Sequence, residues 1–196
     1  MTQAIAVQQG VEPARPQRPN LLSVGVMIWL GSELMFFSGL FAAYYTIRAH
    51  AVTWPPPGDH TDTIEEAIFT FILVLSSFTM QAGVWNEEHG RRTAARWWVV
   101  LSFLLGGAFV LGQAADWLIV PYSASTDAFA SLFFVMTGIH GLHVILGLVA
   151  MIGLMGRMVG QPGDPGERQV FQAVSYYWHF VDVVWIGLYS TIFLVH

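Results

Sequence analysis

The sequence predicts an all-α fold, an integral membrane bundle of five transmembrane helices, on three observations. The first is composition: 55% of the 196 residues are hydrophobic and only 11% are charged, against about 25% charged in a typical soluble domain. The second is that the apolar residues fall into five blocks, each approaching or exceeding the roughly 20 residues that cross a bilayer as a helix. The third is that the arginines gather on one side of a chain that crosses five times, seven against one. Nothing repeats with the two-residue period of a membrane barrel.

The blocks are justified in turn by where the chain can and cannot continue a helix. The spans lie at about 21–45, 67–85, 97–118, 129–155 and 170–195. WPPPGDHTD (54–62) and GQPGDPGE (160–167) are rich in Pro, Gly and Asp and end their helices. NEEHGRR (86–92) and VPYSAST (120–126) mark the other two turns. Residues 1–20, rich in Gln and Pro and lacking the apolar core of a signal peptide, read as a disordered tail, leaving 21–196 as the membrane domain. Lysine is absent. Arg15, Arg18, Arg91, Arg92, Arg96, Arg157 and Arg168 fall on one side of a five-span chain and only Arg48 on the other. The positive-inside rule therefore predicts a cytoplasmic N-terminus and an outside C-terminus.

Composition also excludes classes of function. With a formal net charge of −5 and no dense basic cluster, the chain is not built to track nucleic-acid phosphates. It has no cysteine, which removes disulfides, thiolate metal sites, iron–sulfur clusters and covalently attached haem. No GxSxG, P-loop, HExxH or dinucleotide fingerprint is present, and no catalytic residue is assigned. Glu87, Glu88 and His89, beside Arg91 and Arg92, read as a solvated charge cluster.

Five titratable side chains stand well inside the spans: Glu33, His140, His143, His179 and Asp182. A charge at mid-bilayer costs about 2.5–3.5 kcal/mol on insertion scales, so these groups must turn to the protein interior. His140 and His143 are three residues apart and share a helical face, as do His179 and Asp182. Glu33 shares a stripe with Phe37, Leu40 and Tyr44, which predicts that this stripe looks inward. Three uses fit the pattern: mutual hydrogen bonding that fixes helix register, proton handling or lipid-headgroup contact that supports a partner's chemistry, and ligation of a haem or metal by histidines of two helices. The residues favour the first, a scaffold more than an enzyme. Gly25, Ser32 and Gly39 recur every seven residues, and with Gly138, Gly141 and Gly147 they predict close helix approach. Trp97, Trp98, Trp117, Tyr122, Tyr176 and Tyr177 read as interfacial anchors.

Three stretches together resemble subunit III of the haem–copper respiratory oxidases. GSELMFFSGLF (31–41) is similar to that family's glutamate-bearing helix, MTGIHGLHVILG (136–147) carries its Gly-x-His-Gly-x-His-Val signature, and YYWHFVDVVW (176–185) is similar to its most characteristic segment. The resemblance runs from about Pro19 to the C-terminus. It is to the shorter five-helix bacterial form, and the WPPPG loop with the RPN tail is similar to actinobacterial cytochrome c oxidase, which associates with a cytochrome bc complex.

This resemblance implies two helices and three helices around a V-shaped, lipid-filled cleft, with bound phospholipid and no cofactor or metal in this chain. Haems and copper would belong to subunits I and II. Subunit I is the implied main partner, and the implied role is to hold it stable and to maintain its proton uptake in a bacterial plasma membrane. Glu33, His140, His143, Trp178, His179 and Asp182 fall on the family's signature positions. Asp116–Trp117 stands where the family often has Glu–Tyr, and Gln172 where many members carry a glutamate, so neither site is assigned an essential charge. His179 and Asp182 are expected to face the histidines of the fourth span or the lipid cleft. Two alternatives stay open from the sequence: the same subunit of a quinol oxidase or nitric-oxide-reductase-associated complex, and a stand-alone haem-binding electron carrier using His140 or His143 with His179. A transporter would call for an inverted repeat, which the chain lacks.

Overall fold

The computed structural model describes residues 21–56, 63–120, 122–160 and 166–195. The tail, 1–20, lies outside the described residues. Five helices follow one another: α1 (Leu21–His50), α2 (Thr63–Glu88), α3 (Arg92–Ile119), α4 (Ala128–Gly160) and α5 (Glu167–Tyr189), the last continued by a π-helical turn at Ser190–Leu194. All five are long and apolar enough to cross a membrane, and no strand occurs among the described residues.

Most helices are longer at one or both ends than the apolar blocks that predicted them. Hydropathy marks only the stretch in hydrocarbon, whereas the interfacial residues Arg48, Glu65, Glu66 and Glu87 continue the helical hydrogen bonding beyond it. α2 gains a turn in this way before Ala67, and α1 runs on to His50.

α2 and α3 form the most extensive helix pair, and α5 packs against α1, α2 and α4. The grouping is thus an α2–α3 hairpin against α1, α4 and α5, joined through α2–α5 and α3–α4 contacts. Hydrogen bonds close α2 on α5 from Thr70 and Trp185 to Gln81 and His179, and the ring of Phe171 seats on Gly83 beyond them. Between α3 and α4, by contrast, a groove opens to the outside.

Trp178 sits at the centre, with no solvent exposure. A Cβ built on Gly106 of α3 would lie 2.6 Å from its ring, and one built on Gly147 of α4 would lie 2.7 Å away. Only hydrogen fits at these two positions, so the indole can fill the space between α3 and α4. Gly112 makes the same allowance for Phe69, whose ring would come within 2.2 Å of an added Cβ. The Gly25, Ser32 and Gly39 stripe is a correction to expectation. Nothing lies within 4 Å of a Cβ added to either glycine, and Ser32 is exposed. The inward face of α1 is the heptad Ser23, Leu30, Phe37 and Tyr44, the larger side chains having the apolar area to bury. Gly141 likewise faces open space.

Gly106→Leu is expected to destabilise the subunit by about 2 kcal/mol through overpacking, while Gly107→Ala, where nothing lies within 4 Å of the added methyl, should be near neutral. Thermal unfolding of the two purified variants checks this. Equal midpoints would show that the Trp178 contact carries no such constraint.

Candidate functional site

The polar side chains inside the spans gather into a layer near mid-depth, in two separate sets. Glu33 stands twelve residues into α1 and His143 about midway along α4. Helical register brings them face to face, with 3.3 Å between Glu33 Oε2 and His143 Nε2. His143 Nδ1 lies 2.8 Å from the carbonyl of Ile139. A carbonyl can only accept, so Nδ1 carries a hydrogen. Either a protonated Glu33 then donates to Nε2, or an imidazolium donates to a carboxylate. Either way, one hydrogen bond between these side chains joins α1 to α4. Phe37 meets the His143 ring edge-on at 5.2 Å, and Tyr177 O–H donates to the His143 carbonyl at 3.0 Å. The side chains remain 11% and 23% exposed, which leaves a route to the pair from outside the bundle.

The second set lies between α5 and α2. His179 Nε2 donates to Gln81 Oε1 at 3.2 Å, and Ser77 Oγ lies 2.7 Å from Nδ1 and donates to it. Asp182, one turn on, is buried beside the same serine. Trp178 Nε1 donates to Ser76 Oγ and Trp185 Nε1 to Thr70 Oγ1, both at 2.9 Å. Thr79 and Ser102 join α2 to α3 by a bond of 2.7 Å.

His179 and Asp182 therefore face α2, whereas the sequence led us to expect the histidines of the fourth span or the lipid cleft opposite them. Periodicity showed that they share a face but could not say which helix stands opposite. His140 and His143 also divide. His143 turns to α1, while His140, 1% exposed, stacks on Trp185 with ring centroids 4.9 Å apart and meets Phe109 edge-on at 6.1 Å. Neither ring nitrogen of His140 has a hydrogen-bond partner. Among the described residues no group of three His, Asp or Glu could hold a metal ion. Both nitrogens of His143 and of His179 hydrogen-bond within the protein.

Sequence reasoning missed the hydroxyl ladder of α2 and three buried carboxyl residues. Thr70, Ser77 and Gln81 follow at seven- and four-residue intervals, a helical-face signal that was legible. Glu66 is 2% exposed and lies against Asp116 of α3. Glu87 is buried at the start of the α2–α3 turn, near Glu167, with Arg92, Arg168 and Arg96 supplying positive charge. It is not the solvated residue expected, because the helix ends converge there; Arg96 reaches across to the carbonyl of Met158. His89 does stay exposed, its ring tilted against that of Trp85 with centroids 4.4 Å apart. Tyr122 and Tyr177, expected as interfacial anchors, are instead buried, Tyr177 stacking on Trp29 at 5.4 Å.

A double-mutant cycle on Ser77→Ala and His179→Phe should yield a coupling of about 0.6 kcal/mol, the usual size for such bonds in membrane helices. Unfolding midpoints in mixed micelles supply the four values. Strict additivity would mean that the 2.7 Å contact contributes nothing.

Known proteins match almost the whole length of this chain. Residues 15–195 match the family model described as cytochrome c oxidase subunit III. The chain is 44% identical over 182 residues to a probable cytochrome c oxidase subunit 3 of Mycobacterium tuberculosis, covering 91% of this chain and 90% of that one. It is 39% identical over 204 residues to cytochrome c oxidase subunit 3 of Corynebacterium diphtheriae, covering both chains fully. With cytochrome c oxidase subunit 3 of Thermostichus vulcanus it shares 34% identity over 193 residues, 98% of this chain and 94% of the other. A glutamate and a histidine paired across α1 and α4, inside a five-helix membrane bundle, thus sit in a chain that belongs to the cytochrome c oxidase subunit III family.

Proposed function

We propose that this subunit braces the catalytic subunit of a proton-pumping terminal oxidase that takes electrons from cytochrome c, and that its Glu33–His143 pair supports proton uptake. Subunit I is its main contact, subunit II completes the complex, and the haems and copper reside in those partners. Bound phospholipid accompanies it in a bacterial plasma membrane, with the N-terminus cytoplasmic. A cytochrome bc complex is a further partner in a supercomplex.

The observation that carries this reading is the pair itself. Glu33 and His143 meet at hydrogen-bonding distance at mid-depth, on a part of the surface not sealed by the other helices. Taking up or releasing a proton changes the charge of such a pair by one, so a partner lying against it would have to shield that charge from hydrocarbon. The α2–α5 set is different in kind: Ser77, Gln81 and His179 satisfy one another and fix register. Orientation is supported by seven arginines on the N-terminal side against Arg48 alone on the other. Arg48 is itself tied down, donating to the carbonyl of Val195 at 2.7 Å.

Tagging this chain and identifying co-purified subunits by mass is the direct test. Stoichiometric recovery of a haem-bearing subunit and a copper-bearing subunit is expected, and recovery of the chain alone would contradict the reading. Glu33→Gln keeps a hydrogen-bonding group but cannot carry the proton. It is expected to leave initial oxygen consumption unchanged and to shorten catalytic lifetime or slow proton uptake several-fold, followed with an oxygen electrode over many turnovers. An unaltered time course would remove Glu33 from this role. Asp182→Ala is expected to lower thermal stability or the yield of assembled oxidase. Normal assembly with an unshifted midpoint would count against Asp182 as a structural group.

A further inference from the structure

We propose that the groove between α3 and α4 holds one acyl chain of a phospholipid, whose ester carbonyl accepts a hydrogen bond from the Gln113 side-chain amide. This gives the lipid-carrying part of the reading above a specific site, and it rests on that part only.

The groove encloses about 240 Å³ and is lined by Val110, Gln113 and Trp117 on α3 and by Gly138, Gly141 and Ile145 on α4, among others. Its walls are apolar apart from one group. Gln113 is 6% exposed, and neither its amide nitrogen nor its amide oxygen has a hydrogen-bond partner in the protein. Thr137, also in the lining, already donates to the Phe133 carbonyl at 2.6 Å. An amide left unpaired in so apolar a place calls for a ligand acceptor.

Depth identifies the ligand. α3 has 28 residues, about 42 Å at the usual helical rise, so it overreaches a hydrocarbon core of about 30 Å by about 6 Å at each end. Gln113 stands six residues before Ile119, about 9 Å from the helix end, which is just inside the core boundary. That is the level of the glycerol esters. Trp117 lies one turn nearer the surface, among the lining residues. From there the groove descends past Val110 and Gly141 to Ile145, about 25 Å from the start of α4 at Ala128. It therefore runs from the ester level to the bilayer middle, along the path of a single acyl chain. Gly138 and Gly141 keep it open. A Cβ on Gly138 would touch the Trp117 ring at 3.1 Å, whereas at Gly141 it would meet nothing within 4 Å.

The test uses the purified full-length oxidase, exchanged into mixed micelles with dioleoylphosphatidylcholine or its diether analogue, which lacks the ester carbonyls. Native mass spectrometry counts lipids retained on this subunit and, in the same spectrum, the subunits still attached. One ester lipid should be retained per chain, preferred about fivefold over the ether, the ratio expected for one hydrogen bond. Gln113→Leu should abolish the preference, and Gly141→Phe should expel both lipids. Equal retention of ester and ether lipid by the unaltered protein would overturn the proposal without any variant. Unchanged lipid retention in Gly141→Phe would overturn it too, and loss of a partner subunit in that variant with lipid still bound would assign the groove to a protein helix. Failure of the subunits to co-purify is read separately and bears on the oxidase reading, not on the groove.

Discussion

The Trp178 indole enters the space left by Gly106 of α3 and Gly147 of α4 while its N–H donates to Ser76 of α2, so four of the five helices meet at one α5 side chain. Each part depends on the others. Without the two glycines the ring would not fit, and without Ser76 the indole would bury an unpaired donor in a place with no water to satisfy it. Because lipid tails are as apolar as the side chains, helix association here cannot draw on hydrophobic burial as a soluble core does. Close packing against small residues and hydrogen bonds between helices take its place, and Trp178 supplies both.

The same constraint explains why α2 carries its polar residues where it does. Thr70, Ser76 and Ser77 each receive or give a bond to an aromatic or imidazole nitrogen of α5, and Thr79 turns to Ser102 of α3. These are short side chains, cheap in rotamer freedom, paired with large rigid ones that fix the distance between helices. Against this background the Glu33–His143 pair stands apart. It joins α1 to α4 where direct contact between those helices is slight, and it is more exposed than the α2 hydroxyls. A register-fixing bond would be better placed in the tightly packed α2–α5 seam.

Much of the fold was legible because hydropathy is a property of single segments. The five spans, the inward stripe of Glu33, Phe37 and Tyr44, and the mid-depth position of the titratable groups needed no knowledge of neighbours. What lay across from each group was not legible. The three-residue spacing of His179 and Asp182 states that they share a face, but α2 and α4 both flank α5, and the choice between them depends on how the Trp178 ring seats. The glycines show the same limit. Gly106 and Gly147 are filled by an indole and Gly25 and Gly39 by nothing in this chain, although all are glycines in membrane helices. Burial of Glu87 was hidden because hydropathy treats a charged turn as solvated, whereas three helix ends and their arginines close over it.

The order in which the chain is made gives the attachment of α1 a further meaning. Among the described helices α1 is made first, yet many of its contacts are to residues far along the chain: Glu33 to His143, Trp29 against Tyr177, Tyr45 to Thr191 at 3.2 Å and Arg48 to Val195. Until α4 emerges, Glu33 has no histidine, and until the Ser190–Leu194 turn is made the far end of α1 is held by Trp54, which donates to the Tyr44 hydroxyl at 2.9 Å. α2 and α3, adjacent in the chain, need no such wait to meet. Interrupted synthesis would therefore leave α1 without the bonds that hold it to α4 and α5.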